Sequence, residues 1–358
     1  MTLLTLILLA VIGYLLQQYM LQHSLDKVDY RIKPSKRCVE INEEFKLQTT
    51  VSNNKGLPVF FLRLSELVPD KLVLKNKSDL KQYSASGSFM SNVSILEQSL
   101  YIMPYQRVRR SLSATLPQRG RYLFRGARLR AGDFLGIDDS NTGINLVEEM
   151  VVYPQKADIS SLQPALGGFL GEMYVRRFIM PDPIEVNGFS EYDGTQRMKD
   201  ISWKQTLKKN RMMVKKYDYT AKQRVTLMLD IDNCSDSEAE QCYSLARSVS
   251  EFLENNHITY SFYTNAQMAA VTNKWAYIPD GNGLKHSQLI LEGLGRGELE
   301  SSESTEKLLR KAARRVDDGR SYILICPRYG NRKNTVNRYN RLLGQQIFVV
   351  EADRGNVS

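Results

Sequence analysis

Histidine is scarce in this chain: three occur in 358 residues, His23, His257 and His286. Neither HExxH nor GxSxG occurs, and a hydrolase triad would need one of these three, which argues against a zinc protease and a serine-hydrolase triad. The three read as surface or helix-cap residues. Glycine-rich phosphate loops are missing too. No GxxxxGK[ST] occurs, and no GxGxxG follows the first strand of the C-terminal region, which closes the two usual routes to nucleotide binding. Cysteine is limited to Cys38, Cys234, Cys242 and Cys326, without a CxxC pair. That argues against a disulfide framework and for plain thiols in a reducing compartment.

What is present is the composition of a globular protein, 42% hydrophobic and 25% charged, with a net charge of +10 that favours anionic partners. The length suggests about two domains. Residues 2–21 carry no formal charge, and at 1.5 Å per residue they make about 30 Å of helix. The expectation is a single N-terminal transmembrane helix over residues 1–22, with Tyr14, Gln17, Gln18 and Tyr19 at the interface. No basic residue precedes the run and no small-x-small site follows it, which argues against a cleaved signal peptide. An amphipathic helix lying on a membrane, or one buried in protein, is the other reading. Lys27, Arg31, Lys33, Lys36 and Arg37 all follow the helix. The charge bias then places the chain in the cell membrane, single-pass, with its C-terminal domains in the cytoplasm.

Residues 28–156 alternate apolar and polar positions in short runs. Phe45, Leu47, Thr49 and Val51 fall on one face, as do Leu112, Ala114 and Leu116, and Asn53-Asn54-Lys55-Gly56 and Pro117-Gln118-Arg119-Gly120 supply turns. This predicts a β-sandwich with an exposed, serine-rich excursion over 76–97. Arg107, Arg109 and Arg110 read as a solvated strand face. Residues 157–224 read as a linker and a distinctive motif-bearing segment. From 225 to 358 strand and helix alternate, which predicts a mostly parallel, Rossmann-like α/β sheet. Ser235 followed by Glu238 makes a capping box for the first of its helices.

Two stretches carry candidate chemistry. Asp230 and Asp232 stand one residue apart where a strand opens into a loop, the edge at which open α/β sheets bind ligands. Carboxylates with an Asn233 amide oxygen suit Mg²⁺ or Ca²⁺; the other reading is that residues 232–236 cap the following helix. Trp203, one of two tryptophans, precedes a run of Lys204, Lys208, Lys209, Arg211, Lys215 and Lys216, with Tyr217 and Tyr219. Cations interleaved with aromatics can hold single-stranded nucleic acid, but lysines facing water, an acidic partner or anionic lipid explain the same pattern. Nucleic acid is the less expected partner.

The motif Glu191-Tyr192-x-Gly194 … Arg197 … Ile201-x-Trp203-Lys204 resembles the signature R-E-Y-x-x-G-D-x-x-R-x-I-x-W-K of the bacterial domain-of-unknown-function family fifty-eight. Upstream, Arg119-Gly120-Arg121-Tyr122 and Asp133-Phe134-Leu135-Gly136 are similar to that family's R-G-R-Y and D-P-F-G-L elements. The resemblance implies a membrane anchor, a β-sandwich and a C-terminal von Willebrand factor A-like domain. It also implies a MoxR-type AAA+ ATPase as partner, with an adaptor role in protein-complex maturation or envelope processes and no enzymatic activity. The chain departs from the pattern. One N-terminal helix is expected where many members have two. Ser190 and Thr195 stand where the signature has arginine and aspartate. The adhesion motif D-x-S-x-S becomes Asp230-Ile231-Asp232-Asn233-Cys234, without its serines.

The expected function is therefore a membrane-anchored, non-catalytic interaction protein. It would dock through Glu191, Tyr192, Arg197, Trp203 and Lys204 together with the sheet edge at 230–236. The alternatives are a divalent-metal hydrolase at Asp230 and Asp232, helped by Asp193 or Asp200, and a basic binder of nucleic acid or anionic lipid.

Overall fold

The computed structural model describes residues 2–75, 80–84, 93–132, 139–179, 186–217, 223–269, 275–314 and 320–352. The chain divides into two compact units, Met1–Pro154 and Gln155–Ser358.

The first unit opens with helix α1 (Thr2–Gln22) and continues almost entirely in strands. These are β1 (Val28–Pro34), β2 (Cys38–Val39), β3 (Phe45–Asn53), β4 (Val59–Pro69), β5 (Val73–Leu74) and β6 (Lys81–Ser84). There follow β7 (Val93–Ile102), β8 (Arg107–Thr115), β9 (Gly120–Phe124), β10 (Ala127–Gly132), β11 (Asp139–Ile144) and β12 (Glu148–Val152). They form sheets of order β1-β3-β8-β5, β11-β10-β4-β7-β6 and β2-β12-β9. The period-2 pattern explains why: Val28, Tyr30 and Ile32 of β1, and Phe45, Leu47, Thr49 and Val51 of β3, all turn into one core. Arg110 departs from the solvated face expected of it. It reaches inward to the fully buried Glu66, which also accepts from Tyr30 Oη at 2.9 Å and Thr49 Oγ1 at 2.6 Å. The Asp133-Phe134-Leu135-Gly136 motif lies outside the described residues.

The transmembrane helix is corrected. Among the described residues no helix is long and apolar enough to cross a membrane. The run from Leu3 to Leu16 makes only about 21 Å of helix, against ~30 Å of hydrocarbon. Its last turns belong to the protein: Gln17, Met20, Leu21 and Ser24 line a small recess with Pro58, Phe60 and Gly132. Lys55 Nζ donates to the carbonyls of Ser24, at 2.5 Å, and Asp26, at 2.8 Å, fixing the chain as it leaves the helix. The single-pass placement in the cell membrane, inferred from that span, is corrected with it.

In the second unit, α2 (Gln163–Ile179) is followed by a hairpin of β13 (Val186–Glu191) and β14 (Met213–Tyr217), which encloses α3 (Trp203–Lys209). Then come β15 (Arg224–Leu229), α4 (Asp236–Asn255), β16 (Thr259–Thr264), β17 (Ala266–Met268), β18 (Tyr277–Gly281) and α5 (Leu284–Arg296). The chain closes with β19 (Gly297–Ser301), α6 (Thr305–Ala313), β20 (Arg320–Cys326), α7 (Lys333–Leu343) and β21 (Phe348–Glu351). The main sheet has the order β18-β16-β15-β20-β21, parallel except for β18. Both faces are apolar. Val225, Leu227, Leu229, Ile323 and Ile325 meet Ala239, Cys242, Ala246 and Val249 of α4, while Met228, Tyr322, Leu324 and Cys326 meet α6 and α7. Residues buried on both sides are why β20 reads as a continuous apolar run. Ser235 caps α4 through the Glu238 amide, and the Glu238 carboxylate returns to the Ser235 N–H at 2.8 Å.

The fold class expected from the sequence, a Rossmann-like von Willebrand factor A-like domain beside a β-sandwich and a single transmembrane helix, is corrected. Among the described residues strand accounts for 41% and helix for 31%. The helix-covered sheet is confined to residues 224–351, and the preceding unit contributes twelve strands among its described residues.

Candidate functional site

The carboxyl ends of the parallel strands bring four distant segments around one carboxylate. Asp230 follows β15 directly, its own N–H continuing the ladder to the Ile325 carbonyl at 2.9 Å, and its side chain is wholly buried. Oδ1 accepts from Asn265 Nδ2 at 2.6 Å and from the Asp232 N–H at 3.0 Å. Oδ2 accepts from Thr305 Oγ1 at 2.8 Å and from Arg332 Nε. Asn265, just past β16, is itself fixed at both ends of its amide: Oδ1 accepts from the Ile231 N–H at 3.0 Å, and Nδ2 also reaches the Glu303 carbonyl at 3.1 Å. Asp232 is half-buried and accepts weakly from Ser301 Oγ at 3.3 Å and the Thr305 N–H at 3.4 Å.

Arg332 enters from the turn before α7. Its guanidinium donates to Asp230, to the Asp232 carbonyl, and through Nη1 to the Arg328 carbonyl at 3.0 Å. Burial opposes its charge, but the adjoining Asp230 carboxylate outweighs that penalty and raises its pKa above the ordinary value. The thiols nearby are quiet: burial pushes Cys326 up to about 12 and raises Cys234 and Cys242 as well.

This donor set does not fit the Mg²⁺ or Ca²⁺ expected at Asp230 and Asp232. A carboxylate has about four lone-pair directions, and those of Asp230 meet four protein donors. The cation beside Oδ2 is a guanidinium. Among the described residues, no group of three or more His, Cys, Asp or Glu is gathered as metal ligands. Asp193, a candidate further carboxylate, instead closes its own turn by accepting from Thr195 N and Oγ1 at 2.9 and 2.6 Å.

Glu191, Tyr192, Arg197, Trp203 and Lys204 sit together on the hairpin excursion 186–217. The Tyr192 N–H bonds the Met212 carbonyl at 2.8 Å, and the Ser202 N–H bonds the Met213 carbonyl at 2.8 Å, so α3 is held to β14 by backbone. Ile201 and Val214 are buried beneath it, whereas α3 has no buried residue of its own. Trp203 is 63% exposed and Leu207, one turn on, is 84% exposed. Lys204, Lys208 and Lys209 surround them, all exposed. Glu191 pairs with Arg211 at 2.7 Å on the surface. Tyr219 lies outside the described residues.

Sequence reasoning missed Arg332, Asn265 and Thr305. Arg332 is 102 residues from Asp230, and nothing in a lysine- and arginine-rich turn marks one arginine as buried. His286 was expected at the surface or as a cap. It is buried with its ring edge-on to Tyr260 at 4.8 Å, and burial lowers its pKa.

No family model matches the chain, and no curated protein is significantly similar to it. Among solved structures it is similar to a cohesin module from a Clostridium perfringens family 33 glycoside hydrolase. That match has 13% identity and a TM-score of 0.24, and covers 35% of this chain and 96% of that one. A CARDB domain from Pyrococcus furiosus matches at 14% identity and a TM-score of 0.21, covering 35% and 91%. The major pilin subunit of Bacillus cereus matches at 8% identity and a TM-score of 0.24, covering 36% and 41%. All three scores lie below 0.5 and each match covers little more than a third of this chain. The von Willebrand factor A-like class expected from the sequence is corrected on the make-up of the described residues, which hold more strand than helix.

Proposed function

We propose that this chain is a non-catalytic interaction protein that docks its partner through the excursion 186–217, and that the partner is a MoxR-type AAA+ ATPase. The observation that carries the reading is the shared exposure of Trp203 and Leu207 on a helix with no fully buried residue. A solvated tryptophan beside a solvated leucine is the composition of an interface anchor. The ring of Lys204, Lys208 and Lys209 calls for an apolar groove with an acidic rim. The resemblance around Glu191, Tyr192, Arg197, Trp203 and Lys204 supplies the ATPase. Asp230 is too deeply buried to touch a partner, so the docking surface excludes it.

The test is capture of the purified ATPase by wild type and by Trp203→Ala/Leu207→Ala, with thermal unfolding recorded for both. Loss of capture with unchanged unfolding supports the reading. Equal capture by the double variant sinks it. Binding of single-stranded nucleic acid with a steep salt dependence, lost on Lys204→Glu/Lys208→Glu, would transfer the surface to the nucleic-acid reading.

A further inference from the structure

The surroundings of Asp230 are those of a cation site whose cation is part of the chain. Asp230 Oδ2, Thr305 Oγ1 and the Asp232 carbonyl are hard oxygen atoms gathered around the Arg332 guanidinium from two segments, the turn after β15 and the start of α6. The Asp232 carboxylate accepts from Ser301 Oγ at 3.3 Å and from the Thr305 N–H at 3.4 Å. Carboxylate, hydroxyl and main-chain carbonyl are the ligands that Mg²⁺ and Ca²⁺ take. A wholly buried carboxylate also requires a neighbouring positive charge, because an unpaired one is strongly destabilising. Arg332, itself only 5% exposed, supplies that charge, and it contacts the same carboxylate and the same carbonyl that an ion would bridge.

We propose that Arg332 is the resident cation of this site, standing where a divalent ion would otherwise be required, and that removing its side chain opens an oxygen-lined position that accepts Mg²⁺ or Mn²⁺. The wild-type fold is then indifferent to divalent ions and to chelators. The shortened variant acquires a dependence on them. The inference concerns the isolated chain and needs no partner, so it stands or falls separately from the docking surface.

The experiment is Mn²⁺ titration, by calorimetry and electron paramagnetic resonance, of wild type, Arg332→Ala and Asp230→Asn/Arg332→Ala, with thermal unfolding in EDTA and in MgCl₂. Wild type is expected to show no saturable site and the same Tm in EDTA and in MgCl₂. Arg332→Ala is expected to bind one Mn²⁺ with a Kd on the order of 10⁻⁴–10⁻³ M, as loosely held oxygen sites do, and to gain Tm in MgCl₂ but not in NaCl of equal ionic strength. The double variant, lacking both charges, is expected to bind none.

Saturable Mn²⁺ binding by wild type overturns the proposal, as does equal binding by the double variant. If Arg332→Ala does not fold in EDTA, refolding in MgCl₂ decides: recovery supports the proposal and failure overturns it. A folded Arg332→Ala that binds no ion overturns it as well.

Discussion

Arg320 grips Asp280 with two prongs, Nη1 at 2.9 Å from Oδ1 and Nη2 at 2.7 Å from Oδ2. Nη1 also donates to Thr226 Oγ1 at 3.1 Å and Ser261 Oγ at 3.3 Å. One side chain therefore joins β20 to β15, β16 and β18 at the end of the sheet opposite Asp230. The bidentate geometry also sets direction, since a planar fork meets a carboxylate in one orientation.

Asp280→Ala should lower the unfolding free energy by about 3–5 kcal/mol, because it strands a buried guanidinium. Arg320→Met/Asp280→Leu should recover most of that loss. Urea denaturation of the three proteins measures it, and a cost below about 1 kcal/mol for the single variant would show the pair to be no stronger than a surface contact. The hydrogen bond from Arg320 is the main reason the Asp280 pKa is depressed. The stabilisation is thus complete above the unfolded carboxylate's pKa and declines as pH falls towards the folded one. Asp280→Asn should flatten that acid limb.

His286 adds a second pH dependence with its own window. Burial lowers its pKa from 6.5, against the weaker raising effects of Tyr260, Glu254 and Asp280. The unfolded chain therefore takes up the proton first, and stability should drop as pH falls through 6.5 before levelling below the folded pKa. Thermal unfolding between pH 8 and pH 5 should show this step in wild type and lack it in His286→Gln.

The thiols should sort by depth. Cys242 and Cys326 are fully buried and their pKa values are raised, chiefly by burial. Neither should react with a thiol reagent at neutral pH until denaturant is added. Rapid modification of Cys326 in the native protein, located by peptide mapping, would contradict the packing of α6 and α7 over β20.

In the first unit, Gly126 has a φ of +87°, and an added Cβ would run into the Ile144 carbonyl and lie 2.8 Å from the Leu146 amide nitrogen. Gly126→Ala should cost more than about 1 kcal/mol, through both the left-handed backbone and the collision. An unchanged denaturation midpoint would mean that the turn between β9 and β10 relaxes freely.

Local signals were readable where the physics is local. Alternation marked β3 and β8, and Ser235 with Glu238 marked the start of α4, because neighbours in sequence settle both. α2 was read as linker: Gly167, Gly168 and Gly171 weaken helix propensity by about 1 kcal/mol each. The structure overrides that cost by burying Leu162, Leu166, Leu170 and Met173 in the core against α4 and β15. The N-terminal run was overread because Gln17 and Gln18 were assigned to a membrane interface, whereas Gln17 and Leu21 line a recess of the fold. At the sheet edge, Asp230 was legible from its position after a strand. Its partner was not, since a contact across 102 residues leaves no periodic trace.

Because successive residues of β20 feed two different cores, this strand has no forgiving side. Losing one residue between Arg320 and Cys326 would send Ile323 and Ile325 toward α6 and α7 and turn Tyr322 and Leu324 to the opposite layer. Insertions and tags that the chain can absorb therefore belong in the turns, and the central strands are fixed in length as well as in character.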